Sequence, residues 1–269
     1  MEKKSVLVTG ASSGIGAAIV SRLARDGHRV VGTCRKGDLE NPDGTEMLPL
    51  DVTSDESVRL CVQKFLEREG RIDVLINNAG YLQDGAIEEV TLEQARSEFE
   101  TNYFGVVRMV LAVLPAMRAK RNGLIATTSS LAGIVPLPFW GHYNASKFAI
   151  EGLMETLRHE LKPFHIQVAL VEPGTIKTSF YKGPHPTAMT EYAPWRDAFF
   201  DAMQVFERKA PGPEVVADAF ARLLQLKHAP LHNTVTFEGK LFPLLRWALP
   251  SSLFEASIRT GFKLNRSGG

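Results

Sequence analysis

The chain has little cysteine: two residues, Cys34 and Cys61, in 269. They have neither the close spacing of a thiolate metal site nor the number that a disulfide framework needs, so no metal site and a reducing, cytoplasmic setting are expected. It also lacks an excess of either charge. Lys and Arg number 31 against 30 Asp and Glu, a formal net charge of +1. That balance argues against a basic nucleic-acid-binding protein and against an acidic disordered one, so no nucleic-acid partner is expected. No apolar run reaches the roughly 18 residues that a bilayer-crossing helix requires, so no transmembrane segment is expected. The opening stretch MEKKS has no apolar core, and no secretory signal is expected from it. Internal repeats and low-complexity tracts are missing too. What is left is a length that suits one large α/β domain with a sizeable core.

What is there is alternation. KSVLVTG (4–10), HRVVGTC (28–34), RIDVLINNAG (71–80), GLIATTSS (123–130) and IQVALVEPG (166–174) read as buried strands. Between them lie amphipathic helical patterns: GAAIVSRLARDG (16–27), DESVRLCVQKFLEREG (55–70), 91–120 and 142–162. The second carries one stripe of Val58, Cys61, Val62, Phe65 and Leu66, and the third opens on a Thr91/Gln94 capping box. Short apolar runs alternating with helices predict βαβ units and a parallel sheet covered on both faces, the α/β class. After Gly174 the regularity fails. Residues 179–210 mix aromatics with prolines and read as an insertion rather than a core element. A helix resumes over 211–226 with Pro at its start, and NTVTFE (233–238) reads as a last strand. The tail from Lys240 holds two apolar-faced helical stretches separated by Pro250.

TGASSGIGAAI, Thr9 to Ile19, follows the first strand and opens the first helix. Unsatisfied N–H groups and the helix dipole make such a point attractive to phosphate, and Gly10, Gly14 and Gly16 let the backbone turn sharply beside it. Taken alone, G-x-x-x-G-x-G is equally compatible with a tight βα turn that holds no ligand. In YNASK, Tyr143 and Lys147 lie four apart on a helix and face one side. Alone, they are equally an exposed pair on a solvated face. NNAG (77–80) can be an ordinary turn, and TTSSLAG (127–133) a polar loop. All four fall at or just beyond the carboxyl ends of predicted parallel strands, where open α/β sheets bind ligands.

In order and approximate spacing, TGASSGIG, NNAG, SSLAG, YNASK and EPGTIKT resemble the short-chain dehydrogenase/reductase family over residues 5–180, with family-like order to about 238. The resemblance implies a doubly wound Rossmann fold and a single domain for cofactor and substrate. Here that domain would span 1–269, with a substrate lid over about 179–210 and a helical C-terminal extension over about 240–265. It implies a catalytic tetrad: Tyr143 as proton donor and acceptor, Lys147 as its partner, Ser130 holding the carbonyl oxygen, and Asn102 of TNYFG supporting a water and proton relay. Spacing to Tyr143 favours Ser130 over Ser129. The chemistry follows from the residues as well. A tyrosine of pKa about 10 is a poor proton shuttle near neutrality, and a nearby cation such as Lys147 favours its phenolate.

The resemblance further implies a nicotinamide cofactor held by Gly10, Ser12, Ser13, Gly14, Ile15 and Gly16, with Asp51 and Val52 near the adenine. Asn78, Ala79 and Gly80 would lie along the adenosine, Tyr143 and Lys147 at the ribose, and Pro173, Gly174, Ile176 and Thr178 by the nicotinamide and phosphates. Asp51 can equally be a simple turn residue. NAD-preferring relatives usually carry an acidic residue at the end of the second strand; here Cys34 stands there, followed by Arg35 and Lys36. Arg35 can pair with a 2′-phosphate, so NADP(H) is expected over NAD(H), with Asp38 as the residue that would argue otherwise. For the substrate, Ser130, Leu137, Phe139, Trp140, Tyr143 and Tyr181 are the candidate contacts, with Trp195 and Phe199 in the lid. This aromatic content points to a bulky lipophilic ketone or alcohol, and the resemblance implies a steroid, retinoid or other lipid. The general style loosely resembles the steroid and retinoid dehydrogenase subgroup. A non-catalytic NADP(H)-sensing regulator is the alternative, and an intact Tyr143/Lys147 pair argues against it. Family habit implies a homodimer or homotetramer.

Overall fold

The structure, a computed structural model, describes residues 3–36, 45–178, 180, 183 and 186–265. Seven strands form one sheet: β1 (Ser5–Val8), β2 (Arg29–Cys34), β3 (Met47–Pro49), β4 (Val74–Asn77), β5 (Gly123–Thr128), β6 (Ile166–Glu172) and β7 (His232–Thr234). Their order is β3-β2-β1-β4-β5-β6-β7, and every pairing is parallel. This is the doubly wound α/β arrangement, with the strand order reversing between β1 and β4.

Helices cover both faces because successive strand side chains point to opposite sides. Leu7 faces a core shared with α2 (Asp55–Glu69), α4 (Gly105–Lys120) and α5 (Gly141–Leu161). Val6 and Val8 face the other core, built with α1 (Gly14–Arg25) and α7 (Glu214–Gln225). All four residues of β1 are buried, as a central parallel strand requires.

Three sequence expectations change. The helix expected over 91–120 is interrupted: α3 (Leu92–Phe99), opened by the Thr91/Gln94 capping box, passes into a π-helical turn over Glu100–Phe104 before α4. The stretch 179–210 is not irregular throughout, because Ala193–Lys209 form α6. Pro194 lies in its first turn, where no intrahelical N–H is required, so it starts the helix instead of breaking it. Ala198, Phe199, Ala202 and Met203 form its buried stripe, joined by Phe262 and Leu264. The last strand is shorter than expected, because the Thr236 side chain accepts from Gly239 N–H at 3.2 Å and opens α8 (Phe237–Ala248). Pro250 then separates α8 from α9 (Ser251–Gly261) as expected. No helix among the described residues is long and apolar enough to cross a membrane.

Candidate active site

The glycine turn is locked to the ends of β4 and β5. Thr9 Oγ1 accepts the N–H groups of Asn78 (2.9 Å) and Ala79 (3.0 Å). The Asn78 amide donates to Thr9 O (3.2 Å) and Gly10 O (3.1 Å), and Thr128 Oγ1 donates to Asn78 Oδ1 (3.2 Å). Gly10 has φ +65°, and a Cβ there would lie 2.7 Å from Ala79 Cα. Only glycine allows both the turn and the approach. A Cβ on Gly16 would sit 2.2 Å from Gly10 O, so Gly16 packs beneath the turn. Ser13 caps α1 by position, with its side chain making no capping hydrogen bond. The turn therefore presents the N-terminal end of α1 to whatever lies above it, a setting favourable to an anion.

The other expected residues converge beside it. The π-helical turn turns Asn102 inward, where Oδ1 accepts from Tyr81 N–H (3.0 Å) and Nδ2 donates to Tyr81 O (2.8 Å) and Ser146 Oγ (3.2 Å). Such one-turn bulges recur at functional positions. Lys147 Nζ donates to Thr128 O at 3.0 Å and lies 5.7 Å from the Tyr143 ring centroid. The Ser130 hydroxyl faces the Tyr143 side chain, and its Oγ accepts Ala132 N–H at 3.1 Å. A Cβ at Gly80 would fall 3.1 Å from Asn102 Oδ1 and 4.0 Å from Lys147 Nζ, so glycine keeps that wall thin. Ser129 points elsewhere, its hydroxyl donating to the Glu151 carboxylate.

Burial sets the electrostatics. It raises the Tyr143 phenol well above its ordinary value, with the Ser130 hydroxyl opposing. It lowers the Lys147 ammonium to about 8, against the pull of Glu151 and Glu98. At the far end of the cleft, burial alone would raise Asp51. Hydrogen bonds from the Thr53 backbone and hydroxyl and the Arg35 and Arg108 charges outweigh it and hold Asp51 below its usual range. Thr53 N–H and Oγ1 reach Asp51 Oδ1 at 2.9 and 2.7 Å, so both sequence readings of Asp51 apply: it forms a turn and it borders the cleft.

One cleft of about 1460 Å³ joins these parts. Gly10, Ser12, Ser13, Gly14 and Ile15 line it, with Arg35, Asp51 and Val52 at one end. Asn78, Ala79 and Gly80, then Ser130, Tyr143 and Lys147, continue the wall, and Pro173, Gly174, Ile176 and Thr178 border it too. Gly16 and Lys36 are not on its wall; Lys36 is exposed in the turn after β2. Leu137 and Trp140 line it, and Trp140 meets Tyr143 edge-on at 6.1 Å. Phe139, expected at the substrate, instead packs on Phe199 (5.6 Å) and Phe200 (6.4 Å), because its φ of +58° turns it toward α6. Trp195 and Phe199 belong to that same aromatic cluster. Tyr181 and Asp38 lie outside the described residues.

Sequence reasoning missed several wall residues. Leu82, Phe180, Met203 and Gln204 line the cleft, and Phe180 lies edge-on to Tyr143 at 6.2 Å. Glu98 was missed as well: fully buried, it accepts Gln83 N–H at 2.8 Å, and burial pushes it to about 8. Its place on the stripe with Ala95 and Asn102 was the available signal. Behind Ser129, the donor atoms of Glu151, Glu172 and His232 lie within 4.8 Å of one another. Burial pushes Glu151 to about 7 and Glu172 to about 8. These three come from α5, β6 and β7, so no sequence spacing links them.

A glycine turn at a helix start, a cleft of about 1460 Å³ running from it and Tyr143, Lys147 and Ser130 on the cleft wall fit a nicotinamide dinucleotide. Known proteins agree. The short chain dehydrogenase family profile matches residues 4–187. The chain is 38% identical to the 3-ketodihydrosphingosine reductase of Bacteroides thetaiotaomicron over 264 residues, covering 96% of this chain and 98% of that protein. It is 36% identical to retinol dehydrogenase 8 of Bos taurus, covering 86% and 80%. Among solved structures, it resembles an alcohol dehydrogenase of the archaeon Thermococcus sibiricus complexed with 5-hydroxy-NADP. That match has a TM-score of 0.69 and 30% identity, covering 87% of this chain and 95% of the other. The chain therefore belongs to the short-chain dehydrogenase family, as an oxidoreductase of CH–OH and C=O groups that uses a nicotinamide cofactor and is related to the steroid and retinoid dehydrogenases.

Proposed function

We propose that the protein interconverts a bulky lipophilic ketone or aldehyde with its alcohol, using NADP(H) in preference to NAD(H). The observation that carries this reading is the convergence of Ser130, Tyr143 and Lys147 at one end of a cleft whose other end holds Arg35, with Asn102 buried behind Tyr81 of the same wall. When bound, the nicotinamide supplies or accepts the hydride. Tyr143 donates its proton to the developing alkoxide, and in the reverse direction takes it back. Ser130 donates a hydrogen bond to the carbonyl oxygen, which strengthens as charge grows there. Lys147 favours the phenolate that remains and would hold the ribose hydroxyls of the bound cofactor. Asn102 supports this proton relay from behind the wall, its side chain holding Tyr81 and Ser146.

Arg35 would pair with the 2′-phosphate of NADP, and among the described residues no acidic side chain stands at the end of β2 to repel it. Leu137, Trp140, Phe180 and Met203 offer an apolar wall near Tyr143, consistent with relatives whose names refer to a ketosphingoid base and to retinol. In this reading the chain is one catalytic domain, α6 covers the substrate end, and α8 and α9 form a C-terminal extension. Family habit adds a dimer or tetramer, and two cysteines without a disulfide framework fit a cytoplasmic setting.

Following NADPH absorbance against a panel of lipophilic ketones tests the activity. Turnover with at least one is expected. Tyr143→Phe should lower kcat by about 10²- to 10⁴-fold, the usual worth of a positioned acid, while NADPH still binds. Near-native turnover in that variant overturns the assignment of Tyr143. Tight NADPH binding with silence across the panel favours a cofactor-sensing regulator instead.

A further inference from the structure

We propose that Glu151 is a positioning residue for the reaction, anchoring through Ser129 the loop that carries Ser130. This rests on the role given above to Ser130. The loop leaves β5 at Thr128 and is tied to one face of α5 twice. Lys147 Nζ donates to Thr128 O at 3.0 Å, and the Ser129 hydroxyl donates to Glu151 Oε1. Lys147 and Glu151 are one helical turn apart, so the two ties lie one above the other. The loop also lies tight on that face. A Cβ on Gly133 would meet Ser129 Oγ at 3.0 Å, Lys147 O at 3.1 Å and Glu151 Cγ at 3.2 Å. On the other side, Ser129 N–H donates to Val171 O and Leu131 N–H to Pro173 O, both at 2.8 Å. The two serines then diverge: Ser129 goes down to Glu151 and Ser130 goes out to Tyr143.

What holds Glu151 lies behind it. His232 Nδ1 is 2.7 Å from Glu172 Oε1 and 3.6 Å from Glu151 Oε2, and His232 Nε2 faces Glu155 at 3.8 Å. Glu172 is fully buried and His232 is half exposed. The imidazole at the rim thus stands between the two inner carboxyl groups, leaving Glu151 Oε1 for Ser129. A carboxyl group buried without partners is costly; here Ser129 uses Glu151 Oε1 and His232 uses Glu172 Oε1, while the Oε2 atom of each has no hydrogen-bond partner among the described residues. The effect on chemistry is geometric. Ser130 must stay within hydrogen-bond reach of Tyr143, and a displacement of about 1 Å at a reacting group costs on the order of 10²-fold in rate.

Three full-length variants test this: Glu151→Leu, which fills the space without an acceptor; Ser129→Ala, which removes the donor; and Glu151→Gln, which keeps an acceptor oxygen for Ser129. Ketone reduction by NADPH gives kcat and KM, NADPH fluorescence gives the cofactor Kd, and hydrogen exchange is read on the backbone of 129–133. Glu151→Leu and Ser129→Ala are expected to lower kcat by about 10- to 100-fold. Cofactor Kd and melting temperature should stay near wild type, and exchange in 129–133 should be faster. Glu151→Gln should recover most of the rate and the slow exchange. The proposal is overturned by either of two results: kcat within twofold of wild type in both deficient variants, or Glu151→Gln exchanging as fast as Glu151→Leu. If wild type reduces no ketone, the activity proposed above fails. The exchange comparison then still decides the anchor: slow only where the Ser129 donor and an acceptor at 151 both remain supports it, and equal rates in all four proteins overturn it.

Discussion

At the scale of single residues, the cleft joins groups whose burial moves them in opposite senses. The Tyr143 phenol is held more firmly in its neutral form, while Lys147 is brought down to about 8 and so close to losing its charge. Two substitutions probe the ends of this arrangement. Arg35→Ala should reduce kcat/KM for NADPH by about 10- to 100-fold, the worth of one charge-assisted contact to phosphate, and leave NADH almost unchanged. Steady-state kinetics with both cofactors check it, and equal losses with each would remove Arg35 from phosphate recognition. Glu98→Gln concerns stability. Burial raises the Glu98 carboxyl from an ordinary 4.5 to about 8, so the fold favours its protonated form. Its contribution is complete below pH 4.5 and is lost as pH rises toward 8, because the unfolded chain ionises first. A neutral glutamine escapes that loss. The melting temperature of Glu98→Gln relative to wild type should therefore climb between pH 5 and pH 8.5; a constant difference would show that Glu98 does not titrate in this way.

At the scale of elements, two features depend on packing and not on pattern. The long helix that periodicity predicts over 91–120 contains a π-helical turn, which swings Asn102 toward Tyr81 and Ser146. One extra residue in a turn leaves almost no trace in apolar spacing, so the residue was legible and its setting was not. Helix α6 was hidden by its flanks. Its Pro194 reads as a breaker until its position in the first turn is known, and its apolar stripe is completed by Phe262 and Leu264 from the far end of the described chain. Phe199 is fully buried at the centre of that cluster, 4.9 Å from Phe262. Phe199→Ala should destabilise the protein by about 3–5 kcal/mol, measured by urea unfolding. It should also raise KM for bulky ketones more than it changes the Kd of NADPH, since α6 contributes Met203 and Gln204 to the cleft wall.

At the scale of the whole molecule, strand order brings distant motifs to one crevice. Reversal between β1 and β4 puts the glycine turn beside NNAG, and β5 and β6 follow with Ser130 and Pro173. The outer faces of α4 and its junction, and of α5, expose Leu111 (63%), Phe104 (44%) and Phe148 (37%). Exposed apolar side chains on two adjacent helices fit a subunit interface. Light scattering should give twice or four times the 29.7 kDa chain mass, and a monomer would refute that reading.

The sequence by itself determined the class of fold, since period-2 and period-3.6 apolar patterns depend only on local geometry. Local spacing marked the glycine turn and the Tyr143/Lys147 pair, and the resemblance to the family added Ser130, Asn102 and Arg35. Only the tertiary structure decided that Ser129 faces Glu151. It alone turned Phe139 away from the cleft, brought Met203 into it, and assembled Glu151, Glu172 and His232 from a helix and two strands. The physical reason is the same in each case. These outcomes depend on side-chain direction and on contacts between residues far apart in the chain, and the spacing of residue types carries neither.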